Sequence, residues 1–357
     1  MSGVLPVALD AMGTDTAPTA EVEGAIAAVR ERQAKVILVG DKDRLRGALA
    51  AAGGDGLGIE IRHASEVITM EDAPSQVVRR KKDASMRVCF EMVKRGEAGA
   101  MVSAGNSGAM LACGLFVLKR LPGVERPAIV TTFPTPVGPC ALLDMGANVE
   151  LRPKALAQFA VLGTVYARML HGKARPRVGL LSNGSEDHKG TDLTRATHAI
   201  LCRAASLPSG ADFDYIGYVE GRDIFAGVDV VVTDGFTGNV LLKAVEGAAS
   251  AIFDMLRREI KKSVRAQAGA LLLKPTFQSL KATMDYAEYG GAPLLGVDGV
   301  AMVCHGSSDG RAIKNAIYAA ERFVRLGLKP ELQAAIAKHR PLWEEAQGGS
   351  EEGSLEG

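Results

Sequence analysis

The stretch Val228–Glu246 constrains this chain more than any other. A β-branched apolar run, Val228-Asp-Val-Val-Val-Thr233, ends in a turn carrying Asp234, Gly235, Thr237, Gly238 and Asn239, and an amphipathic helical segment follows. A strand that enters a helix through small polar residues leaves backbone N–H groups and short side chains at its carboxyl end. Open α/β sheets bind ligands there, and a helix N-terminus at that place favours an anion. The same arrangement recurs at Ala100-Met-Val-Ser103-Ala-Gly105-Asn106-Ser107-Gly108, again running into a helix. Two such turns point to a cleft that handles anions.

The rest of the chain repeats the pattern. Short apolar segments read as strands at Pro6–Leu9, Lys35–Val39, Ile59–Arg62, Ala100–Ser103, Ala128–Phe133, Cys140–Asp144, Arg177–Leu181, Phe213–Tyr218 and Val228–Thr233. Helical segments near 18–32, 43–52, 84–95, 106–120, 153–171 and 191–205 separate them. This alternation implies a mostly parallel sheet covered by helices on both faces. One region departs from it. Residues Asn239–Gln267 read as a single helix of roughly 40 Å at 1.5 Å per residue. Gly269-Ala-Leu-Leu-Leu-Lys-Pro275 is expected to interrupt it, and a second helix to cover 277–288. Such a pair projects from a compact sheet, so its apolar face needs a partner. The pair Leu294–Gly296 and Val300–Cys304 then returns the chain to the core, before a helix over 308–326. The expected organisation is a single α/β catalytic domain over 1–347, a projecting helical hairpin at about 240–290, and a frayed tail over 348–357.

The 357 residues, 47% of them hydrophobic and 23% charged, can bury a substantial core, and a net charge of +1 leaves no global field to recruit nucleic acid. The five cysteines (Cys89, Cys113, Cys140, Cys202, Cys304) are scattered and contain no C-x-x-C pair. They read as buried reduced thiols in a cytosolic protein, without metal or disulfide roles. No signal peptide and no bilayer-spanning apolar run is evident.

The polar residues cluster at expected strand ends. Asp10, Gly13 and Asp15 follow the first strand; a helix cap is the plainer reading. Ser103, Gly105, Asn106 and Ser107 have the composition of a phosphate cradle, or of a tight strand–helix packing turn. Ser182-Asn183-Gly184-Ser-Glu186-Asp187-His188-Lys189 is dense in polar groups, with Lys189 able to pair with a phosphate or an oxyanion and His188 able to carry a proton. His305 follows the last strand. All these loops are expected on one rim. Arg79-Arg80-Lys81-Lys82 reads as a solvated helix end or a dock for an acidic protein surface. Arg257, Arg258, Lys261, Lys262 and Arg265, followed by Leu271, Leu272 and Leu273, combine cations with apolar residues, as an interfacial membrane contact or a dimer seam would. There is no Walker A sequence, H-E-x-x-H or paired-cysteine site, and Gly54-Asp-Gly56-Leu-Gly58 lacks dinucleotide-binding spacing.

Ala8-Leu-Asp-Ala-Met-Gly13, Ser85-Met-Arg87, Val102–Gly108, Leu143-Asp-Met-Gly-Ala-Asn148, Asp234-Gly-Phe-Thr-Gly-Asn239, Tyr289-Gly-Gly-Ala292 and His305-Gly-Ser307 together resemble the bacterial phosphate acyltransferases of the PlsX type, over roughly residues 4–326. Thr14 stands where that family often has a second glycine, and Ser182-Asn-Gly-Ser185 replaces a more usual Asn-Ile-Gly-Glu-like loop. The resemblance implies transfer of a long acyl chain from an acyl carrier protein thioester to inorganic phosphate, for phospholipid synthesis. It implies a Rossmann-like three-layer αβα sandwich, a homodimer, no cofactor or metal, a cytoplasmic enzyme peripheral at the inner face of the membrane, and a downstream membrane glycerol-3-phosphate acyltransferase as a partner. On that basis Lys189 and Asn239 are the expected catalytic donors. Asp10, Gly13, Ser103, Gly105, Asn106, Ser107, Asp234, Thr237 and His305 are expected around phosphate or the thioester arm, and Leu271, Leu272 and Leu273 at the membrane. A coenzyme A-dependent phosphate acetyltransferase or acyltransferase shares the chemistry and is the alternative.

Overall fold

The computed structural model describes residues 5–207, 210–277 and 290–344. The expected helix over 277–288, Tyr289 and the expected tail lie largely outside those residues. The described strands are β1 (Val7–Asp10), β2 (Val36–Gly40), β3 (Glu60–His63), β4 (Ala100–Ser103), β5 (Ala128–Phe133), β6 (Cys140–Leu143), β7 (Arg177–Leu181), β8 (Asp214–Val219), β9 (Val230–Val232), β10 (Ala292–Leu295) and β11 (Val300–Val303). They form one 11-stranded sheet in the order β3-β2-β1-β4-β11-β10-β5-β6-β9-β7-β8. β1, β2, β4, β5, β6, β9, β10 and β11 are buried at every position, which is why they read as unbroken apolar runs rather than alternating ones. The edge strand β3 is largely exposed and presents Glu60, Arg62 and His63, charges of the kind that discourage edge-to-edge pairing.

Helices cover both faces. On one lie α1 (Thr19–Arg32), α6 (Pro153–His171), α7 (Asp192–Cys202) and the helices Gly310–Leu326 and Leu328–Lys338; on the other lie α4 (Ser85–Lys94) and the start of α5 (Ser107–Cys113). α6 is buried continuously from Ala155 to Ala167, so it is apolar all round, as a central helix must be. The three-layer expectation therefore holds. Two short elements add to it: α2 (Lys42–Ala51) and α3 (Pro74–Arg80). The expected helix over 106–120 instead ends as α5 and continues as a π-turn over Gly114–Leu118, closed by the Lys119 N–H bonding to the Gly114 carbonyl at 2.9 Å.

The sheet contains two parallel blocks that run in opposite senses. β3, β2, β1, β4 and β11 are parallel to one another, as are β6, β9, β7 and β8. Between them, β10 is antiparallel both to β11, through Ala292 and Pro293, and to β5, through Leu294 and Leu295, and β5 is antiparallel to β6. The carboxyl ends of the two blocks consequently face opposite edges. This corrects the expectation of a single rim.

The long helix is also corrected. α8 spans Gly235–Lys261 and α9 spans Val264–Leu272. The chain breaks at Lys262–Ser263, where extended Ser263 caps α9 by accepting from the Ala266 N–H at 3.4 Å, and the helix continues through Gly269–Leu272, where interruption was expected. Four of the cysteines are buried, and burial pushes the Cys113, Cys140 and Cys304 thiols up to about 12. Cys202 is exposed instead.

Close packing of α1 on the helix Gly310–Leu326 depends on Gly24. A Cβ there would lie 2.7 Å from the Ile313 Cβ and 2.8 Å from the Gly310 carbonyl oxygen. Gly24→Ala should destabilise the fold by about 1–3 kcal/mol through overpacking, outweighing the roughly 1 kcal/mol alanine gains inside a helix. Chemical denaturation reads the change as a lower midpoint.

Candidate functional site

The carboxyl ends of β1, β4 and β11 form the first group. Asp10 closes β1 and is buried. Its Oδ2 accepts from the Ser103 hydroxyl at 2.6 Å and its Oδ1 from the Met12 N–H at 3.2 Å. Burial raises its pKa, and the hydrogen bonds from Ser103, Ser85 and Met12 oppose that rise. Ser103 Oγ in turn accepts from the Gly105 N–H at 3.1 Å, so one hydroxyl joins the β1 carboxylate to the turn after β4. The two turns touch backbone to backbone: a Cβ on Gly13 would sit 2.8 Å from the Gly105 nitrogen. Thr14 offers its N–H and hydroxyl to Glu21 at 2.8 and 3.0 Å, and the Asp15 N–H bonds to the Gly306 carbonyl, drawing the loop after β11 onto the same group.

Asn106 has a different role from the one its sequence suggests. Its Oδ1 accepts from the Ala109 N–H at 3.1 Å, capping α5, while its amide nitrogen lies within 3.3 Å of the carbonyl oxygens of Thr69, Met70 and Asp72. That side chain is committed to the cap and to the 69–72 loop. What this turn offers an anion is the backbone N–H groups of Ser107 and Gly108, the first-turn donors of α5 that neither the Asn106 cap nor the helix takes up, and the exposed Ser107 hydroxyl.

The carboxyl ends of β6, β9 and β7 form the second group. Asp144, fully buried, follows β6 and accepts from four donors: the Ile129 N–H (2.9 Å) and Ala147 N–H (3.1 Å) on Oδ1, and the Asn148 N–H (2.7 Å) and amide (2.8 Å) on Oδ2. Burial raises its pKa and these donors work against it. The loop so fixed receives the start of α8. A Cβ on Gly235 would lie 2.6 Å from the Asn148 carbonyl, and one on Gly238 only 2.0 Å from that of Asp144. Asp234 caps the helix, taking the Thr237 N–H at 2.8 Å and its hydroxyl at 2.7 Å. Asp234 and Thr237 therefore satisfy each other, and Asn239, exposed, is left with no described hydrogen bond.

Lys189 lies on the loop after β7, which leaves the same edge as β9 on the neighbouring strand. Its N–H bonds to Glu186, its stem packs over Gly184, and among the described residues its ammonium has no partner. His188 is exposed on that loop.

α8 connects the two groups. Strands of four residues are only about 13 Å long, so a helix lying across the sheet can span from one edge toward the other. Leu241, Leu242 and Val245 pack against the core, and the Lys243 ammonium reaches 3.4 Å from His305 Nε2 while pairing with Glu246 at 3.0 Å. His305 Nδ1 is 2.7 Å from the Ser307 hydroxyl. Asn239 and Lys243 are four residues apart, on one helical face, so the face that meets His305 also carries Asn239. Sequence reasoning missed Lys243, which reads as an ordinary exposed position of an amphipathic helix. Among the described residues, no group of three or more His, Cys, Asp or Glu could hold a metal ion.

Leu271, Leu272 and Leu273 are 71%, 82% and 52% exposed on and just beyond α9. A groove of about 720 Å³ between α8 and α9 is lined by Phe253, Leu256, Ile260, Ala270, Leu271 and Phe277. No described helix is long and apolar enough to cross a membrane.

Residues 5–330 match the family model for fatty acid synthesis protein. The chain is 56% identical over 327 residues to the phosphate acyltransferase of Geobacter sulfurreducens, covering 91% of this chain and 92% of that one. It is 53% identical over 338 residues to that of Geotalea uraniireducens, covering 94% and 96%. Among solved structures, a phosphotransacetylase from Streptococcus pyogenes superposes with a TM-score of 0.60 at 16% identity, covering 91% of this chain and 95% of that one. A phosphotransacetylase from Staphylococcus aureus gives 0.58 at 16% identity over 90% and 94%. These two share the fold.

Asp144→Ala would strand four N–H groups around a buried site. The expected loss is at least about 3 kcal/mol, because each unsatisfied buried donor costs about 1–3 kcal/mol. A denaturation midpoint equal to that of the unmodified protein would contradict the anchoring role.

Proposed function

The chain belongs to the fatty acid synthesis protein family, whose close relatives are phosphate acyltransferases, and we propose that this transferase moves a long fatty acyl group from an acyl carrier protein thioester to inorganic phosphate. The observation that carries this reading is the pair of glycine-rich strand-end turns linked by α8, set in a chain similar along its length to phosphate acyltransferases. The product, an acyl phosphate, then serves phospholipid synthesis.

The chemistry asks little of an acid or base. Phosphate near neutral pH is largely dianionic, and the leaving thiolate has a pKa near the 8.5 of free cysteine. A phosphate oxygen attacks the thioester carbonyl carbon, the carbonyl oxygen becomes an oxyanion, and collapse of that intermediate breaks the C–S bond and releases the carrier thiolate. The protein's work is to hold the two reactants together and stabilise the oxyanion. The Lys189 ammonium and the Asn239 amide, neither with a described partner, are the donors assigned to it. The Ser107 and Gly108 N–H groups at the start of α5, the Ser107 hydroxyl and the Lys243–His305 pair hold the phosphate. Asp10, Gly13, Ser103, Gly105, Asp234 and Thr237 shape and fix the turns, and Asn106 contributes as a cap.

The hairpin is read as an appendage of a single catalytic domain, lying on the inner face of the membrane, where an amphiphilic product would be handed to a membrane glycerol-3-phosphate acyltransferase. Exposed Ile252, Met255, Val264, Leu271 and Leu272 beside the basic residues of α8 support this. A homodimer remains part of the proposal.

Lys189→Ala and Asn239→Ala should each lower turnover by about 100- to 1000-fold in an assay of phosphate-dependent release of carrier thiol from a palmitoyl thioester. Near-normal turnover would remove the assignment, and a preference for coenzyme A thioesters in the same assay would move the chain to the acetyltransferase reading. Separately, Leu271→Glu with Leu272→Glu should reduce sedimentation with phospholipid vesicles while leaving activity on soluble carrier thioester intact. Undiminished sedimentation would exclude the hairpin as the membrane contact.

A further inference from the structure

The cations around α3 fall into two kinds. Lys81 bonds to Asp72 and to the Val67 carbonyl, Arg87 to Glu91 and the Val78 carbonyl, and Arg95 to Glu91 and Glu97. These hold the local structure together, and the acids they touch are used up by them. Arg79, Arg80, Lys82 and Lys94 are exposed and, among the described residues, have no hydrogen bond or ion pair. In a chain of net charge +1, this is a local surplus with nothing inside the molecule to neutralise it.

Beside it lies an exposed aromatic ring. Phe116, 64% exposed, stands on the π-turn after α5 and lines a depression of about 310 Å³ with Val78, Arg87, Glu91, Lys94 and Val117. An apolar floor with an aromatic residue, rimmed by cations, is the composition of a protein interface rather than of a small-molecule cavity.

The surface is tied to the candidate site by direct contacts. Asn106 holds the 69–72 loop that leads into α3, and a Cβ on Gly108 would lie 2.6 Å from Pro74 Cγ at the start of α3. α3 has seven residues, so its basic end is about 10 Å from that contact. A protein docked there would present an arm-borne thioester to the 103–108 turn.

We propose that the basic end of α3, with Phe116, is the surface on which the acidic face of the acyl carrier protein docks; this rests on the carrier-thioester reading above and names the recognition element for it.

The test compares the unmodified enzyme with Arg79→Glu/Arg80→Glu and, separately, with Phe116→Ala, residues remote from the proposed chemistry. Each is assayed with saturating phosphate on a palmitoyl carrier-protein thioester and on the palmitoyl thioester of pantetheine, and direct binding of labelled carrier protein is measured alongside. The charge-reversal variant should raise KM for the carrier thioester, and Kd for the carrier, by about 10-fold. Its kcat and its KM for the pantetheine thioester should be unchanged, and added salt should weaken carrier binding to the unmodified enzyme more than to the variant. Phe116→Ala should act in the same direction without altering the salt dependence. Unchanged carrier KM and Kd, or equal losses on both thioesters, would overturn the proposal. So would loss of binding to anionic phospholipid vesicles with intact carrier kinetics, which would assign the patch to the membrane. If the unmodified enzyme turned over the pantetheine thioester but neither bound nor used the carrier thioester, the functional reading itself would fall.

Discussion

The buried carboxylate of Asp144 is the contact on which the rest of the site depends. Four N–H donors converge on it and give the 144–148 loop one shape. Only against that shape can α8 begin where it does, because Gly235 and Gly238 approach the carbonyls of Asn148 and Asp144 more closely than any Cβ permits. The position of α8 then decides where Asn239 and Lys243 lie. A single satisfied carboxylate thus sets the start of a helix whose far face, eight residues on, meets a loop belonging to the other half of the sheet.

The first strand-end group is built on the same plan with a different donor set. Asp10 is also a buried carboxylate closing a strand, and Ser103 joins it to the neighbouring turn. In both groups the acids are acceptors for the protein's own donors, so they organise backbone rather than meet ligand. The groups left available, the Asn239 amide, the Lys189 ammonium, the Ser107 hydroxyl and two N–H groups of a helix start, are nearly all donors, and the Lys243 ammonium, paired with Glu246, adds a cation beside His305. That is the complement of an anionic substrate and a developing oxyanion, and it explains why the site can dispense with a strong base.

Much of this was legible in the sequence because burial on both faces turns a strand into an unbroken apolar run. The strand segments read from such runs agree with the described sheet to within a few residues. The glycine-rich turns were legible too, since close backbone approach admits only glycine at Gly13, Gly235 and Gly238. What could not be read was relative direction. Reversal of the second block comes from three successive antiparallel pairings, β11 with β10, β10 with β5 and β5 with β6, and no residue within those strands records which partner it will find. The break at Lys262–Ser263 was missed because neither proline nor glycine marks it, and only the capping preference of serine hints at it. Asn106 was misread for the opposite reason: an asparagine before a helix is a cap before it is a ligand donor. Lys243 gained its interest solely from a tertiary contact 62 positions away in the chain.

The central claim is that two strand-end groups at opposite edges act as one site through α8. A double-mutant cycle between Asn239 and His305, read as kcat/KM for phosphate, tests it most directly. If the two belong to one site, the combined loss should differ from the sum of the single losses by about 0.5–3 kcal/mol. Additivity within about 0.3 kcal/mol would mean that the two edges work independently, and the bridged site would have to be abandoned.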